Sequence, residues 1–190
     1  FKSGYNGNEN IIFGRLNEVV DSSGSIVGGR SNKNIKSSNN NITGILNEIT
    51  ESKQELISGQ QNKSLKGENN AIMGRLLDIS NSKFNIIGGK SSSIVSSNNI
   101  LSGGSNHIIK SSNGSIITGL QQNEQNSSNN AVSGKLHIID NTKNSNISGK
   151  SNVVTNGEST IVFGMSNNNQ DAVNSLISGS GNTTTSTNSF

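Results

Sequence analysis

The sequence predicts an all-β protein, a two-sheet parallel β-solenoid of about twelve coils with 15 residues in each coil. The first observation is that glycine returns every fifteen residues, from Gly14 to Gly179. The second is that an aliphatic residue stands two positions before almost every one of these glycines, as Ile12 stands before Gly14. A fixed short period is the signature of a solenoid. The third is that only 28% of the residues are hydrophobic and 3% aromatic, which is too few for an ordinary globular core.

We number each coil from its repeat glycine, at position 0. The five residues that end on this glycine, such as Asn10–Gly14, place an aliphatic side chain at position −2, and alternation of this kind is typical of a β-strand. A second short segment has Asn at +3, an aliphatic residue at +5 or +6 and Ser or Thr near +8, as in Asn17, Val19 and Ser22. The Asn, Ser and Gly residues between the segments predict turns, because they tolerate left-handed backbone. Stacked coils would form two parallel sheets around a thin core.

Some stretches depart from this pattern. In the seventh coil the motif fits better one residue early, so we take Gly103 rather than Gly104 as its repeat glycine and Leu101 as its core residue. Residues 120–130 have no aliphatic residue in the second strand, and we expect a loosened coil or a bulge near 121–129. The coils over 165–190 are also weak, and a frayed or continuing end is expected there. The whole chain, 1–190, is predicted to be a single repeat domain.

The residues at position −3 predict a functional face. Ten of the twelve residues assigned to it are apolar, and neighbours on a strand point to opposite sides, so an inward −2 row implies an outward −3 row. A contiguous exposed apolar row marks an interface. The predicted binding or interface face consists of residues at −3 and −1: Ile11, Phe13, Ile26, Thr43, Leu56, Ser58, Met73, Ile86, Ile100, Ser102, Ile116, Thr118, Ser133, Ser148, Ile161, Phe163, Leu176 and Ser178. The alternative is a slightly different register, with the −3 and −2 residues both partly buried in a wider core.

Charged residues form two further rows. The +4 row alternates in sign through Glu18, Lys33, Glu48, Lys63 and Asp78, which would pair opposite charges between neighbouring strands and fix their register. The +1 row is often basic. Its basic members are Arg15, Arg30, Arg75, Lys90, Lys135 and Lys150. This row is either a basic edge for glycans and other anionic polymers or a row that keeps the protein soluble.

No sequence motif predicts catalysis. His107 and His137 are thirty residues apart, hence about two coils, and neither cysteine nor an acidic cluster joins them. We therefore predict no metal site, no catalytic triad, no cofactor and no enzyme activity. The net charge of +3 is too small to indicate a nucleic-acid partner, and no run of about 18 apolar residues is present to insert into a membrane. The chain begins at Phe1 without a signal peptide, as expected of a mature form or an excised segment.

The repeat unit resembles two known families. Ser25–Gly29 and Asn85–Gly89 resemble the head repeats of trimeric autotransporter adhesins and related surface fibres. That resemblance implies a left-handed parallel β-roll, three chains side by side, no catalysis, and binding to a host surface or matrix. Residues 99–109 and 177–183 resemble the grass ice-recrystallisation-inhibition repeat. This second resemblance implies a monomeric left-handed β-roll whose flat face binds ice.

The outward positions favour the first resemblance. Ice binding favours a flat, regular array of small groups such as Thr or Ser, whereas the predicted face carries Ile, Leu, Phe and Met in irregular order. We therefore expect a non-enzymatic extracellular or cell-surface repeat protein. It would be a self-associating fibre or adhesin module, a trimer or dimer, that binds a host matrix or glycan through a flat sheet face. The alternative is an ice-binding protein that uses the same face.

Overall fold

The structure, a computed structural model, describes residues 7–185. The chain divides into two compact units, Phe1–Val95 and Ser96–Phe190. The described residues form strands, turns and bends. None of them belongs to a helix of the length and hydropathy needed to cross a membrane.

Strands of five residues alternate with strands of three in both units. Within residues 7–95 the strands are β1 Ile11–Arg15, β2 Glu18–Val20, β3 Ile26–Arg30, β4 Lys33–Ile35, β5 Asn41–Ile45, β6 Glu48–Thr50, β7 Leu56–Gln60, β8 Lys63–Leu65, β9 Ala71–Arg75, β10 Asp78–Ser80, β11 Ile86–Lys90 and β12 Ser93–Val95. Within residues 96–185 they are β13 Leu101–Ser105, β14 Ile108–Lys110, β15 Ile116–Leu120, β16 Asn123–Gln125, β17 Ala131–Lys135, β18 Ile138–Asp140, β19 Asn146–Lys150, β20 Val153–Thr155, β21 Ile161–Met165, β22 Asn168–Gln170, β23 Leu176–Ser180 and the two-residue β24 Thr183–Thr184. Each long strand spans positions −3 to +1, and each three-residue strand spans +4 to +6.

The strands of each unit lie in two parallel sheets. In the first unit the long strands follow the order β1-β3-β5-β7-β9-β11 and the short strands the order β2-β4-β6-β8-β10-β12. The second unit repeats this arrangement with β13 to β24. Paired residues are fifteen apart in sequence, as Gly44 and Gly59 are. The predicted two-sheet parallel β-solenoid, with 15-residue coils and about twelve turns, is confirmed, and its left-handed coiling stays a prediction.

Three corners turn the chain within each coil, at positions +2, +7 and +10. In the second coil the corner residues are Ser31, Lys36 and Asn39, whose φ angles lie between +50° and +56°. The N–H of each donates to a carbonyl oxygen of the preceding coil at 2.9 Å. The hydrogen-bond ladder therefore continues round the corners. The abundance of Asn, Ser and Gly follows from this left-handed backbone, which few other residues adopt readily.

The repeat glycine is required by the stacking of the coils. Gly44 has a φ of +114°, and a Cβ atom on it would lie 2.0 Å from the carbonyl oxygen of Gly59 in the next coil. That oxygen belongs to the backbone and cannot move aside as a flexible side chain could. Only glycine allows two coils to approach this closely, which explains the strict fifteen-residue period.

Two rows face the core, one from position −2 of the long strands, which is almost entirely apolar, and one from +5 of the short strands, in which aliphatic residues are interrupted by buried polar ones. In the third coil they are occupied by Ile42 and Ile49, and both side chains are fully buried. Burying an aliphatic side chain of this size stabilises the fold by roughly 1.5–3 kcal/mol. These two rows supply most of the buried hydrophobic side chains among the described residues.

Asparagine side chains at +3 form a buried ladder beside these rows. Asn47 donates from Nδ2 to the carbonyl oxygens of Thr43 at 2.9 Å and Gly59 at 3.0 Å. Its Oδ1 accepts the backbone N–H of Asn62 in the next coil at 3.1 Å. Each amide thus links its own coil to the next one, and both polar atoms of the Asn47 side chain are satisfied.

The seventh coil corrects the predicted register. Gly104, not Gly103, is its repeat glycine, because Gly104 has a φ of +122° and aligns with the repeat glycine of the next coil. A Cβ atom on Gly103 would meet nothing within 4 Å. Leu101 is 44% exposed and is therefore not a core residue, whereas Ile100 at 1% and Ser102 at 2% are buried.

Hydrogen bonding explains how Ser102 is accommodated at the core position −2. Its Oγ lies 2.8 Å from Nδ1 of His107, the +3 residue of the same coil. Nε2 of that ring lies 3.0 Å from the carbonyl oxygen of Gly119, where an asparagine amide donates in most other coils. Ile100 stands at −4, a position that is usually polar, and adds apolar volume beside the small serine.

The prediction of a loosened coil or bulge near 121–129 was wrong. Strand β16 pairs in register with β14 on one side and β18 on the other. Glu124 takes the inward +5 position and is fully buried. Its carboxylate accepts hydrogen bonds from Ser115 Oγ at 2.7 Å and Asn130 Nδ2 at 3.1 Å. These bonds offset the burial of a polar group, and the backbone ladder keeps its register.

The C-terminal coils are also regular as far as they are described. Strand β22 pairs in register with β20 and β24. The predicted fraying concerns in part residues 186–190, which lie outside the described residues. The prediction of a single domain over 1–190 stays a prediction.

Candidate interaction face

The long strands expose one of their two sides. In β15, Ile116, Thr118 and Leu120 are exposed, whereas Ile117 between them is fully buried. In the other long strands, too, the residue at −3 is more exposed than the residue at −2, because neighbouring residues point to opposite sides. Positions −3, −1 and +1 of the long strands therefore form one in-register surface, which we call the outer face. The alternative register, with −3 and −2 both partly buried, was wrong.

In the first unit, the −3 row of the outer face is mostly aliphatic. Its large members have exposed fractions between 38% and 60% and are Ile11, Ile26, Leu56 and Ile86. Asn41 and Ala71 interrupt the row, and each pairs in register with Leu56. The row is thus a ladder of aliphatic side chains with a polar and a small position inside it.

The second unit carries a row of the same kind. Its large members have exposed fractions between 40% and 50% and are Leu101, Ile116, Ile161 and Leu176. Ala131 and Asn146, which are paired neighbours, interrupt this row. The middle of the row is therefore less apolar than its two ends.

Two residues of the predicted face do not belong to it. Ile100 and Ser102 are buried, because the repeat glycine of their coil is one residue later than predicted. Leu101 takes the −3 position instead, and an unbroken fifteen-residue count from Gly14 would have found it. The structure places the other predicted residues at −3 or −1 of the outer face.

The −1 row mixes large and small side chains. The ring of Phe13 lies over Gly28, since a Cβ atom on that glycine would be 2.1 Å from the ring Cζ. Met73 likewise pairs with Gly88, and Phe163 stands between two serines. Small neighbours therefore leave room for each large side chain.

Hydroxyl side chains fill stretches between these large residues. Thr43 and Ser58 are paired neighbours in the first unit. Thr118, Ser133 and Ser148 follow one another in the second unit. The outer face therefore combines an aliphatic row with short hydroxyl arrays.

The +1 row carries neighbouring cations of the same sign. Arg15 pairs in register with Arg30, Arg75 with Lys90, and Lys135 with Lys150. All six side chains are exposed, and none takes part in the three ion pairs found among the described residues. Like charges directly opposite each other in a sheet are destabilising, so fold stability does not explain these pairs.

The short strands and the corners near them show the opposite arrangement. Charges alternate in sign along their rows, and ion pairs form between neighbouring coils, with Nζ–Oε2 distances of 3.9 Å for Lys33–Glu18 and 3.8 Å for Lys66–Glu51. A third pair, Lys83–Glu68, is 2.7 Å long, and its hydrogen bond lowers the pKa of the Glu68 carboxyl. Only the Lys33–Glu18 pair lies in the predicted +4 row; the other two lie at +7 and +9, so charge is neutralised within the chain in three separate rows.

Four further groups with shifted pKa values lie in the core. Burial lowers the pKa of His107 and of His137. Burial also raises the pKa of Glu124, and it raises that of Glu55 to about 7. Both histidines occupy +3 positions of the buried ladder; His137 Nε2 lies 2.8 Å from the carbonyl oxygen of Ser133. Within residues 7–185, no group of three His, Cys, Asp or Glu residues could hold a metal ion.

Comparison with known proteins adds no relative from which a function could be transferred. No family model matches the chain, and no curated protein matches its sequence.

Proposed function

We propose that the protein is a non-enzymatic, self-associating repeat module of the cell surface or extracellular space, which docks on copies of itself through the outer face. The observation that supports this proposal is the exposed aliphatic −3 row in each unit. Soluble monomers rarely expose contiguous apolar patches of this kind unless the patch binds something. The proposed location follows from the resemblance to adhesin heads and surface fibres.

A second copy is the partner that fits the spacing of the row. Two identical solenoids repeat at the same interval, so a contact made in one coil recurs in the next. In an antiparallel two-fold arrangement centred between the third and fourth coils, Ile11 would face Ile86 and Ile26 would face Ala71. An isologous contact of this type closes on itself. The cations at +1 stand at the other end of each strand and would remain at a polar rim.

The absence of enzyme activity is part of the proposal. The candidate acid and base groups, Glu55, Glu124, His107 and His137, are buried. Their side chains bond to neighbouring core groups. A buried group whose side chain bonds to the core is a structural element rather than a catalyst open to substrate.

Light scattering on a size-exclusion column, across a dilution series, tests the self-association. The wild-type chain should have a mass of two or three chains. Ile86→Asp should reduce this mass to that of one chain without loss of β-structure, because it places a charge in the docked row. Leu65→Asp is the matched control, since Leu65 is 42% exposed but lies in the short strand β8, outside the outer face. A wild-type chain that is monomeric at every concentration would contradict the proposal.

Ice binding is the second candidate function, and one observation favours it. In the second unit, Thr118, Ser133 and Ser148 place three successive small hydroxyl side chains in the −1 row, in register. Neighbouring strands are about 4.8 Å apart, so the array is regular over this stretch. Inhibition of ice recrystallisation by a monomeric wild-type chain, lost in Ser133→Tyr, would favour this function over self-association.

A further inference from the structure

Two neighbouring long strands of the second unit end in the same three residues. Ser133-Gly134-Lys135 in β17 and Ser148-Gly149-Lys150 in β19 pair residue by residue. The serines stand at −1 and the lysines at +1, so all four side chains lie on the outer face. Neighbouring strands are about 4.8 Å apart, and the result is a patch of two hydroxyl groups and two ammonium groups, which we call the Ser-Lys patch.

The charge of the Ser-Lys patch is not neutralised by the chain. Both lysines are exposed, and neither takes part in an ion pair among the described residues. The +4 row of the first unit is different, because its lysines Lys33 and Lys63 have carboxylates as register neighbours. In the +4 row, neighbouring residues thus carry opposite charges, an arrangement that stabilises the sheet. A like-charged pair, which weakens a sheet, points instead to an external anion.

The two serine hydroxyls are also free to bind. The described residues include no hydrogen bond made by Ser133 Oγ or Ser148 Oγ; only the backbone carbonyls of these residues accept bonds, from His137 and Asn152. The aliphatic −3 row is interrupted beside them. Ala131 and Asn146 stand there, and Asn146 adds an exposed amide. This part of the outer face is thus polar and uncrowded.

We propose that Ser133, Lys135, Asn146, Ser148 and Lys150 form a binding site for an anionic carbohydrate chain that carries sulfate or carboxylate groups. The two ammonium groups bind anionic groups of the sugar chain as point charges. The hydroxyl and amide groups exchange hydrogen bonds with sugar hydroxyls. A nucleic acid fits less well, because none of these five residues offers an aromatic ring on which a base could stack.

Binding of a heparin-derived hexasaccharide to the full-length chain tests the site by calorimetry. The double variant Lys135→Gln/Lys150→Gln should bind at least about tenfold more weakly, because two charge-assisted contacts are lost. Ser133→Ala/Ser148→Ala should weaken binding by a smaller factor at unchanged charge. The matched control is Lys33→Gln/Lys63→Gln, which removes the same charge from the alternating row and should change affinity less than about twofold.

Three results would overturn this assignment. The first is equal weakening by the control pair, which would mean that only net charge matters. The second is failure of the wild-type chain to bind the hexasaccharide. The third is tighter binding of a single-stranded DNA oligonucleotide than of the sugar at the same salt concentration. Ile86→Asp lies in the other unit and should leave sugar binding intact, so this test is independent of self-association.

Discussion

At the scale of single residues, Glu55 is the most informative side chain of the core. It occupies position −4, where most other coils carry a small polar residue or an amide, and it is only 2% exposed. Its carboxyl accepts hydrogen bonds from Ser64 Oγ at 3.0 Å and Asn70 Nδ2 at 2.9 Å. Burial raises its pKa from an ordinary 4.5 to about 7, although these hydrogen bonds act in the opposite direction.

The free energy of unfolding should therefore fall as the pH rises from 4.5 to about 7. Between about pH 4.5 and pH 7 the folded state holds a proton on Glu55 that the unfolded state has released. The contribution of this proton to stability is lost as the pH increases. Glu55→Gln mimics the protonated carboxyl and should stabilise the protein at pH 8 by roughly 2–3 kcal/mol, with little effect at pH 4.5. Urea unfolding of both proteins at the two pH values checks this.

The comparison between variant and wild type isolates Glu55 from the histidines. Burial lowers the pKa of His107 and His137, so their effect has the opposite sign: stability is lost as the pH falls below their unfolded-state pKa. Both proteins contain these histidines, and the difference between them cancels this contribution. A stability difference that does not change between pH 4.5 and 8 would contradict the account of Glu55.

Leucine at a left-handed corner is a second informative feature at this scale. Leu46 has a φ of +58° and is 50% exposed, although a bulky residue with positive φ is an outlier. Leu46→Asn should raise the free energy of unfolding by roughly 1 kcal/mol, because asparagine adopts this conformation more easily. Ile45→Asn, at the neighbouring exposed position with ordinary φ, is the control and should give no gain. Equal effects in urea unfolding would show that corner strain is not the cause.

At the scale of the strand and coil, the seventh coil tests how the register is set. The period alone predicts Gly104, whereas the preference for an aliphatic core residue led to Gly103, and the period proved to be the better guide. The physical reason is that each coil is held by backbone hydrogen bonds to its neighbours, whereas one core residue can be exchanged if its partners change with it. Ser102 is an example, since it bonds to His107.

Substitution of the two glycines distinguishes the two registers. Gly104→Ala should lower the free energy of unfolding by at least about 3 kcal/mol, because its Cβ would lie 2.0 Å from the carbonyl oxygen of Gly119. Gly103→Ala should change it by less than about 1 kcal/mol, since that Cβ would meet no atom within 4 Å. Urea unfolding checks both variants. A larger loss from Gly103→Ala would restore the predicted register.

The coil around Glu124 shows the same limit of sequence reasoning. A segment without aliphatic residues predicted a bulge, but Ser115 and Asn130 stand where they can bond to the buried carboxylate. Their positions, −4 in two successive coils, can be read from the sequence once the period is fixed. Which side chains meet across the core cannot be read in this way, because it depends on the corners at +2, +7 and +10.

At the scale of the whole molecule, composition and period were sufficient to predict the β-solenoid and its two parallel sheets. The inward −2 row and the outward −3 row were also predictable, because alternation along a strand fixes them together. The partner was not predictable in the same way. An exposed aliphatic row has the same sequence pattern whether it faces a copy of itself or another surface, and the comparisons supply no relative to decide between them.

The two sides of the solenoid differ in how their charges are arranged, and this difference supports both proposals. In the first unit, charges on the short strands alternate in sign, and ion pairs form there and at the adjoining +7 corner. The outer face keeps an aliphatic row and like-charged cations that the chain does not neutralise. A side whose charges are paired within the chain suits contact with water. A side with an exposed aliphatic row and cations that the chain does not neutralise is the one on which we expect partners to bind.

The measurement that tests this account most directly is urea unfolding of Ile86→Asp and Ile87→Asp, two neighbouring substitutions in β11, at a protein concentration too low for self-association. Ile87 is fully buried and Ile86 is 53% exposed. Ile87→Asp should cost more than about 4 kcal/mol or unfold the protein, because it buries an unpaired charge, whereas Ile86→Asp should cost less than about 0.5 kcal/mol. Equal losses from the two variants would show that the −3 row is not an exposed face, and the interface proposed for it would fail.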